Sequence, residues 1–110
     1  MSLLIRKSPF FHEDVLGQFG WYFDKGGKDL AWRFFTTVDQ TLIKLSGLPD
    51  LGRKCHFQSR DLRELHALQV EPPFRQLLIF YRYTSRELIA ERLMHGSRDL
   101  PRRLIEPPGT

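Results

Sequence analysis

Apolar residues recur every three or four positions between residues 9 and 45, and every two positions from residue 61 to 94. The first period is that of a helix and the second that of a strand. Phe11, Val15, Phe19 and Phe23 follow i, i+4 spacing, with Leu16 and Tyr22 beside them. Ser8-Pro9 suits the start of this helix. Ser8 can cap free backbone N–H groups, and Pro9 fits the first helical position, where its missing N–H costs nothing. Glu13 and Asp14 come early, where the helix dipole favours anions. Gly17 and Gly20 each weaken the helix by roughly 1 kcal/mol relative to Ala, and leave room for a neighbour's backbone. Lys25-Gly26-Gly27 breaks the pattern. A second helix is predicted from about Asp29 to Leu45, with Leu30, Phe34, Val38, Leu42 and Leu45 on its apolar face and Ala31 and Phe35 alongside. So short a link makes the pair an antiparallel hairpin.

Residues 3–7 alternate weakly and predict a short strand ahead of the hairpin. Leu48-Pro49-Asp50-Leu51-Gly52 ends the second helix, and an irregular, mobile stretch is expected to about Arg60. Strands are predicted at 61–68, 75–84 and 87–94, with turns at Glu71-Pro72-Pro73 and near Ser85-Arg86. Leu77-Leu78-Ile79-Phe80-Tyr81 is apolar on both faces, so this strand should be central. Ser97-Arg98-Asp99-Leu100 begins a short helix if Pro101 falls in its first turn. The predicted class is α+β: a short N-terminal strand, an antiparallel helical hairpin, then a three-stranded antiparallel meander with a short C-terminal helix. One helical layer packs on one sheet. Residues 1–105 make a single domain, and 106–110 a flexible C-terminal tail.

Composition supports folding without adding a second unit. The chain has 110 residues, 41% apolar and 13% aromatic with nine Phe, enough to bury one small core. The single cysteine, Cys55, excludes an internal disulfide and suits a reducing compartment. The opening apolar run is too short for a signal peptide, and no stretch approaches the ~20 apolar residues that span a bilayer. A soluble, cytoplasmic protein is expected.

Charge changes the picture more than its total suggests. Residues 1–50 carry six Lys/Arg and six Asp/Glu, whereas residues 51–110 carry eleven against seven, which is the whole net charge of +4. Ten of those eleven cations are arginines, whose planar donors suit carboxylates and phosphates. The second half is therefore the one expected to meet an acidic partner, with a solvated basic surface as the plainer reading.

The candidate chemistry gathers on the last two predicted strands. An Arg closing so apolar a run costs desolvation energy unless it is paired or at a rim. One reading is a basic rim of Arg82, Arg92, His95 and Arg98; the other is that Arg82 pairs with Glu64 or Glu91 and completes the fold. His95 has the ordinary pKa range of a general acid or base, although a lone His at a strand end more often serves structure. Cys55-His56 lacks a third orienting group, so a nucleophilic cysteine is not expected. The four histidines show no metal-ligand spacing and the glycines no phosphate-binding fingerprint, so no metal and no cofactor is expected. Phe10, Trp21 and Trp32 fall off the core stripes. They either wrap the edge of the core or mark a protein-binding surface.

Taken in order, several of these segments resemble the ParE/RelE superfamily of bacterial toxins. Leu48-Pro49-Asp50-Leu51-Gly52-Arg53 looks like that family's Pro-x-x-Gly-Arg loop, and Asp61-Leu62-Arg63-Glu64-Leu65 like its Leu-Arg strand. Ile79-Phe80-Tyr81-Arg82 and His95-Gly96-Ser97-Arg98-Asp99 follow, the resemblance covering about residues 8–104. It is closest to the ParE-like branch. It implies the toxin of a type II toxin–antitoxin system that inhibits DNA gyrase without catalysing a reaction itself, and a cognate antitoxin whose acidic C-terminal segment neutralises it. Arg82, Arg92, His95 and Arg98 are then candidates for target contact, and Phe10, Trp21, Trp32 and Arg63 for antitoxin contact. The RelE-like branch, whose members cleave mRNA on the ribosome, is the alternative. There Arg82, His95 and Glu64 would be the catalytic candidates, but Gly96-Ser97 stands where those ribonucleases often carry a Tyr. A third reading is a non-toxic module that only binds an antitoxin.

Overall fold

The computed structural model describes residues 2–96 and 99–109. Its elements run β1 (Leu4–Lys7), α1 (Pro9–Gly47), β2 (Arg53–Lys54), β3 (His66–Gln69), β4 (Leu77–Tyr83), β5 (Glu87–His95) and α2 (Leu100–Ile105), with 3-10 turns at Pro49–Leu51 and Arg60–Leu62. Ser8 caps α1 through its Oγ, which accepts from the Phe11 N–H at 3.0 Å, and Pro9 opens the first turn.

Gly27 splits α1 into two arms, because at φ 82° and ψ −174° it leaves the helical region for one that glycine alone enters cheaply. The arms run antiparallel. Tyr22 meets Phe34 with ring centroids 5.0 Å apart, and Phe19 meets Phe35 at 6.5 Å, so positions rise along one arm as they fall along the other. On the first arm the inner face holds Phe11, Val15 and Tyr22, while Leu16 and Phe23 face solvent. The expectation of Phe23 in the core fails on helix geometry. Eleven residues bring the helix within about 20° of its starting azimuth, whereas twelve leave it about 120° round. Steps of i+4 drift, and Tyr22 takes the place. Gly17 and Gly20 do not admit a neighbour either, since nothing lies within 4 Å of where their Cβ atoms would stand. On the second arm Ala31, Phe34, Val38, Leu42 and Leu45 are buried as predicted.

The sheet has five strands in the order β1-β5-β4-β3-β2. β4 is central and joins β3 and β5 in the predicted antiparallel meander. β1 adds to the far edge, parallel to β5, with Leu4 opposite Glu87 and Lys7 opposite Ala90. The strand expected at 61–68 starts only at His66. Before it, the chain makes a 3-10 turn and Glu64 takes φ 63°, outside any extended conformation. Leu62 and Leu65 are both buried. Three residues apart, they would point to opposite faces of a strand but share one side of a turn. The stretch before it, expected to be irregular, contributes the two-residue β2, paired with His66 and Ala67.

Two apolar clusters lie on the two faces of this sheet. The inner face of α1 packs on Leu77, Ile79, Tyr81, Leu88, Ala90 and Leu93. The opposite face holds Phe80 and Met94 under Leu62, Leu65 and, from α2, Leu104. The single helical layer expected from the sequence thus gains a partial third layer. Among the described residues no helix is long and apolar enough to cross a membrane.

Candidate functional site

The parallel pairing of β1 stops at Ala90, and the first arm of α1 takes over the edge of β5 beyond it. Ser8 donates from its backbone N–H to the Ala90 carbonyl (2.9 Å) and from its hydroxyl to the Glu91 carbonyl (2.8 Å). One helical turn and a half later, Asp14 Oδ2 accepts from the Leu93 N–H at 2.9 Å. Backbone groups that a missing strand would have paired are therefore satisfied by the Ser8 backbone and by the Ser8 and Asp14 side chains. The register also slips here: Phe80 faces Arg92 while Tyr81 faces Ala90, leaving Glu91 as the extra residue of a bulge. A bulge puts two successive side chains on one face.

Arg92 is the centre of this arrangement. It grips Asp14 in a fork, Nε to Oδ2 at 2.8 Å and Nη2 to Oδ1 at 3.1 Å, with side chains only 7% and 9% exposed. Its Nη1 donates to the carbonyls of Arg103 (3.1 Å), Leu104 (3.0 Å) and Glu106 (2.6 Å) at the end of α2. The Phe10 ring covers the guanidinium, 5.3 Å from centroid to Cζ. One buried cation thus ties together α1, β5 and the C-terminal segment.

Arg82 is also engaged within the chain. Nη1 pairs with Glu91 Oε2 at 2.5 Å, Nε donates to the Arg63 carbonyl at 2.9 Å and Nη2 to the Asp61 carbonyl at 2.6 Å. Of the two readings left open for this residue, the structure contains the Glu91 pairing. Glu64 lies apart from it, 75% exposed and 3.9 Å from Lys54 Nζ.

His95 stands at the other end of the ladder. It is exposed and opposite Leu77, while Arg82 is opposite Ile89, five ladder positions away. At about 3.3 Å per residue the two lie ~16 Å apart along the sheet, and an odd number of steps puts them on opposite faces. His95 borders a polar cleft of about 200 Å³ walled by Glu13, Arg103 and Glu106. Arg98 falls outside the described residues. Arg82, His95 and Glu64 are therefore not brought together. Burial pushes the Cys55 thiol up from its ordinary pKa, which disfavours the thiolate.

The aromatic candidates occupy three separate settings. Phe10 lies over Arg92, Trp21 packs edge-on against Tyr22 with Lys25 over its ring, and Trp32 meets the half-buried Phe19 and Phe35 at the edge of the core. All three are exposed, as is Arg63.

The loop at Pro49–Arg53 has a physical role that its motif alone does not state. Tyr81 donates its hydroxyl proton to the Pro49 carbonyl at 2.7 Å and accepts from the Gly52 N–H at 2.9 Å. A Cβ on Gly52 would collide with that hydroxyl and with the Ala67 carbonyl, so the close approach requires glycine. Burial is the main cause raising the Tyr81 pKa, to about 12.

No family model matches the chain, and no curated protein matches it. A solved structure does. A chain from the "Chromosomal ParDE TA system from P. aeruginosa" superposes with a TM-score of 0.69, over 87% of this chain and 98% of that one, at 11% sequence identity. The fold is ParE-like. In this ParE-like fold the residues missed from sequence are Asp14 and Tyr81. Asp14 had read as a favourable charge near a helix start, and Tyr81 as one more apolar position of a central strand. The available signal for Asp14 was its place beside the inward stripe of Phe11 and Val15.

Proposed function

We propose that this chain is the toxin of a type II toxin–antitoxin system, acting in the cytoplasm on DNA gyrase and neutralised by a cognate antitoxin with an acidic C-terminal segment. The observation that carries the reading is the ParE-like fold over most of the chain, alongside a solved toxin–antitoxin system. The gyrase target is favoured over mRNA cleavage by the dispersal of Arg82, His95 and Glu64. General acid–base chemistry needs its groups within hydrogen-bond reach of one reacting centre, and here Arg82 and His95 lie at opposite ends of their ladder while Glu64 turns to Lys54. Of the four basic candidates for target contact, His95 is exposed, Arg98 neighbours it in sequence, and Arg82 and Arg92 are each paired within the chain. Exposed Phe10, Trp21, Trp32 and Arg63 are the candidates for antitoxin contact.

The test is purified protein added to gyrase. Supercoiling should be inhibited or cleaved DNA trapped, and His95→Ala should retain most of the effect. Unimpaired gyrase at large excess would refute the target. mRNA cut in a translating ribosome, and lost in Arg82→Ala and His95→Ala, would instead establish the ribonuclease reading. Unchanged growth on induction without antitoxin would leave only a binding module.

A further inference from the structure

Leu16, Phe19 and Phe23 form a second apolar stripe on the first arm of α1. Spaced three and four residues apart, they lie about 60–120° round the helix from the buried Phe11, Val15 and Tyr22. Phe19 aims this stripe at the second arm, where its ring meets Trp32 at 5.1 Å and Phe35 at 6.5 Å, both edge-on. Trp32 and Phe35 meet each other at 5.7 Å. Phe19 and Phe35 are half-buried against the core, whereas Leu16, Trp32 and Phe23 remain 70%, 52% and 49% exposed. The exposed three border the outer seam between the arms. Gly20, one turn beyond Leu16, adds no bulk there, with open space where a Cβ would stand. Lys7 closes the seam beside Phe35, its Nζ 5.9 Å from the ring centroid and 3.0 Å from Asp39 Oδ1.

Charge selects the partner that fits this surface. Residues 9–47 hold four Lys/Arg and five Asp/Glu, a net of −1, so the rest of the chain carries +5 towards the total of +4. A strongly charged partner gains nothing at the hairpin, and a second copy meets no repulsion there. The arms also differ in sign. Residues 9–25 carry one cation and three acids, and residues 28–44 carry three cations and two acids. A two-fold axis along the seam sets each first arm antiparallel to the second arm of the other copy, negative against positive. The area agrees. The three exposed side chains offer about 400 Å², within the ~300–600 Å² of the largest apolar patches on monomers. Doubled across the axis and bordered by polar residues, the contact reaches about 1,200 Å², the lower limit of specific interfaces.

We propose that two copies of this chain associate through the outer seams of their hairpins, as a weak two-fold dimer in which Leu16 and Phe23 of each copy pack on Trp32 of the other. The inference is independent of the gyrase target. It separates Trp32 from Trp21, which packs on Tyr22 and lies roughly opposite Phe19 on the helix. The far sheet face, with Phe80 and Met94, stays turned away from the axis.

Sedimentation velocity of the full chain over micromolar to millimolar concentration tests the dimer. The sedimentation coefficient should rise with a dissociation constant on the order of 10–100 µM, as befits an interface of this size. Leu16→Glu and Trp32→Glu, both at exposed positions, should each weaken association at least tenfold with circular dichroism unchanged, and Trp21→Ala should leave it unaltered. In Trp21→Phe, where Trp32 is the one tryptophan left, emission should shift to the blue as the dimer fills. A chain still monomeric at millimolar concentration, or a dimer indifferent to both glutamates, would overturn the proposal. So would Trp32 emission that moves only when the antitoxin or an anionic lipid vesicle is added to a monomer, because the seam would then belong to that partner.

Discussion

Replacing Asp14 by Asn tests the most consequential contact in the molecule. The exchange keeps size and an Oδ1 acceptor for the Leu93 N–H, and removes the charge that faces Arg92. With both side chains under 10% exposed, the guanidinium is left in a poorly solvated site with carbonyls on one side and an amide on the other. Breaking a buried pair this way costs about 3–5 kcal/mol, and the retained acceptor places the expectation near 3. A chain of this length has roughly 5–16 kcal/mol of stability in total. With a urea slope of about 1–2 kcal/mol/M, the unfolding midpoint should fall by about 1.5–3 M. Arg92→Met should cost at least as much, because it also strips the carbonyls of Arg103, Leu104 and Glu106 of this donor. The double variant should be less damaged than the sum, with a coupling on the order of 2–3 kcal/mol. Urea melts followed by circular dichroism suffice. A loss in Asp14→Asn below ~1 kcal/mol, the worth of an exposed pair, would refute the assignment of Arg92 as a buried clamp.

Gly52→Ala should destabilise by about 1–3 kcal/mol through the clash at Tyr81, whereas Gly17→Ala, with open space around it, should stabilise the helix by about 0.5–1 kcal/mol; thermal melts of the pair give opposite signs. Tyr81 titrates near 12 when folded against an ordinary value of 10, so its contribution is complete below pH 10 and is lost as pH rises through 12. Stability measured across that window should fall, and Tyr81→Phe should flatten the fall. Arg82→Ala should cost about 1–3 kcal/mol from its lost hydrogen bonds. Loss of the proposed growth inhibition in that variant should track the amount of folded protein, and full folding with abolished mRNA cleavage would argue the opposite.

What the sequence disclosed was local. Ser8-Pro9 announces a helix start because a cap and a proline act within one turn, and residues 77–81 announce a central strand because both faces are apolar. The 61–65 segment misled because Leu62 and Leu65 offer two apolar residues with no clear period, and a carbonyl-hungry Arg82 nineteen or more residues away decides the turn. Arg82 and Arg92 looked alike as candidates for an external partner. Arg82 pairs with Glu91, as one reading of the sequence had it, but its two backbone carbonyls and the aspartate 78 residues upstream of Arg92 are revealed by no pattern of neighbours. The bulge at Glu91 is equally silent in sequence, yet it sets Glu91 and Arg92 beside each other on one face of the sheet.

The parallel placement of β1 has a consequence in time. Leu4 leaves the ribosome early, but its neighbour Glu87 is 83 residues behind it. At about 5–20 residues per second, translation delivers that partner ~4–17 s later. Of these five strands the first to be made is thus the last to be used, and the sheet closes only once β5 has emerged. A nascent chain still lacks β5, and with it the edge on which Asp14, Arg92 and the C-terminal segment assemble. Premature arrest of synthesis should therefore yield an unclosed sheet rather than a smaller working protein.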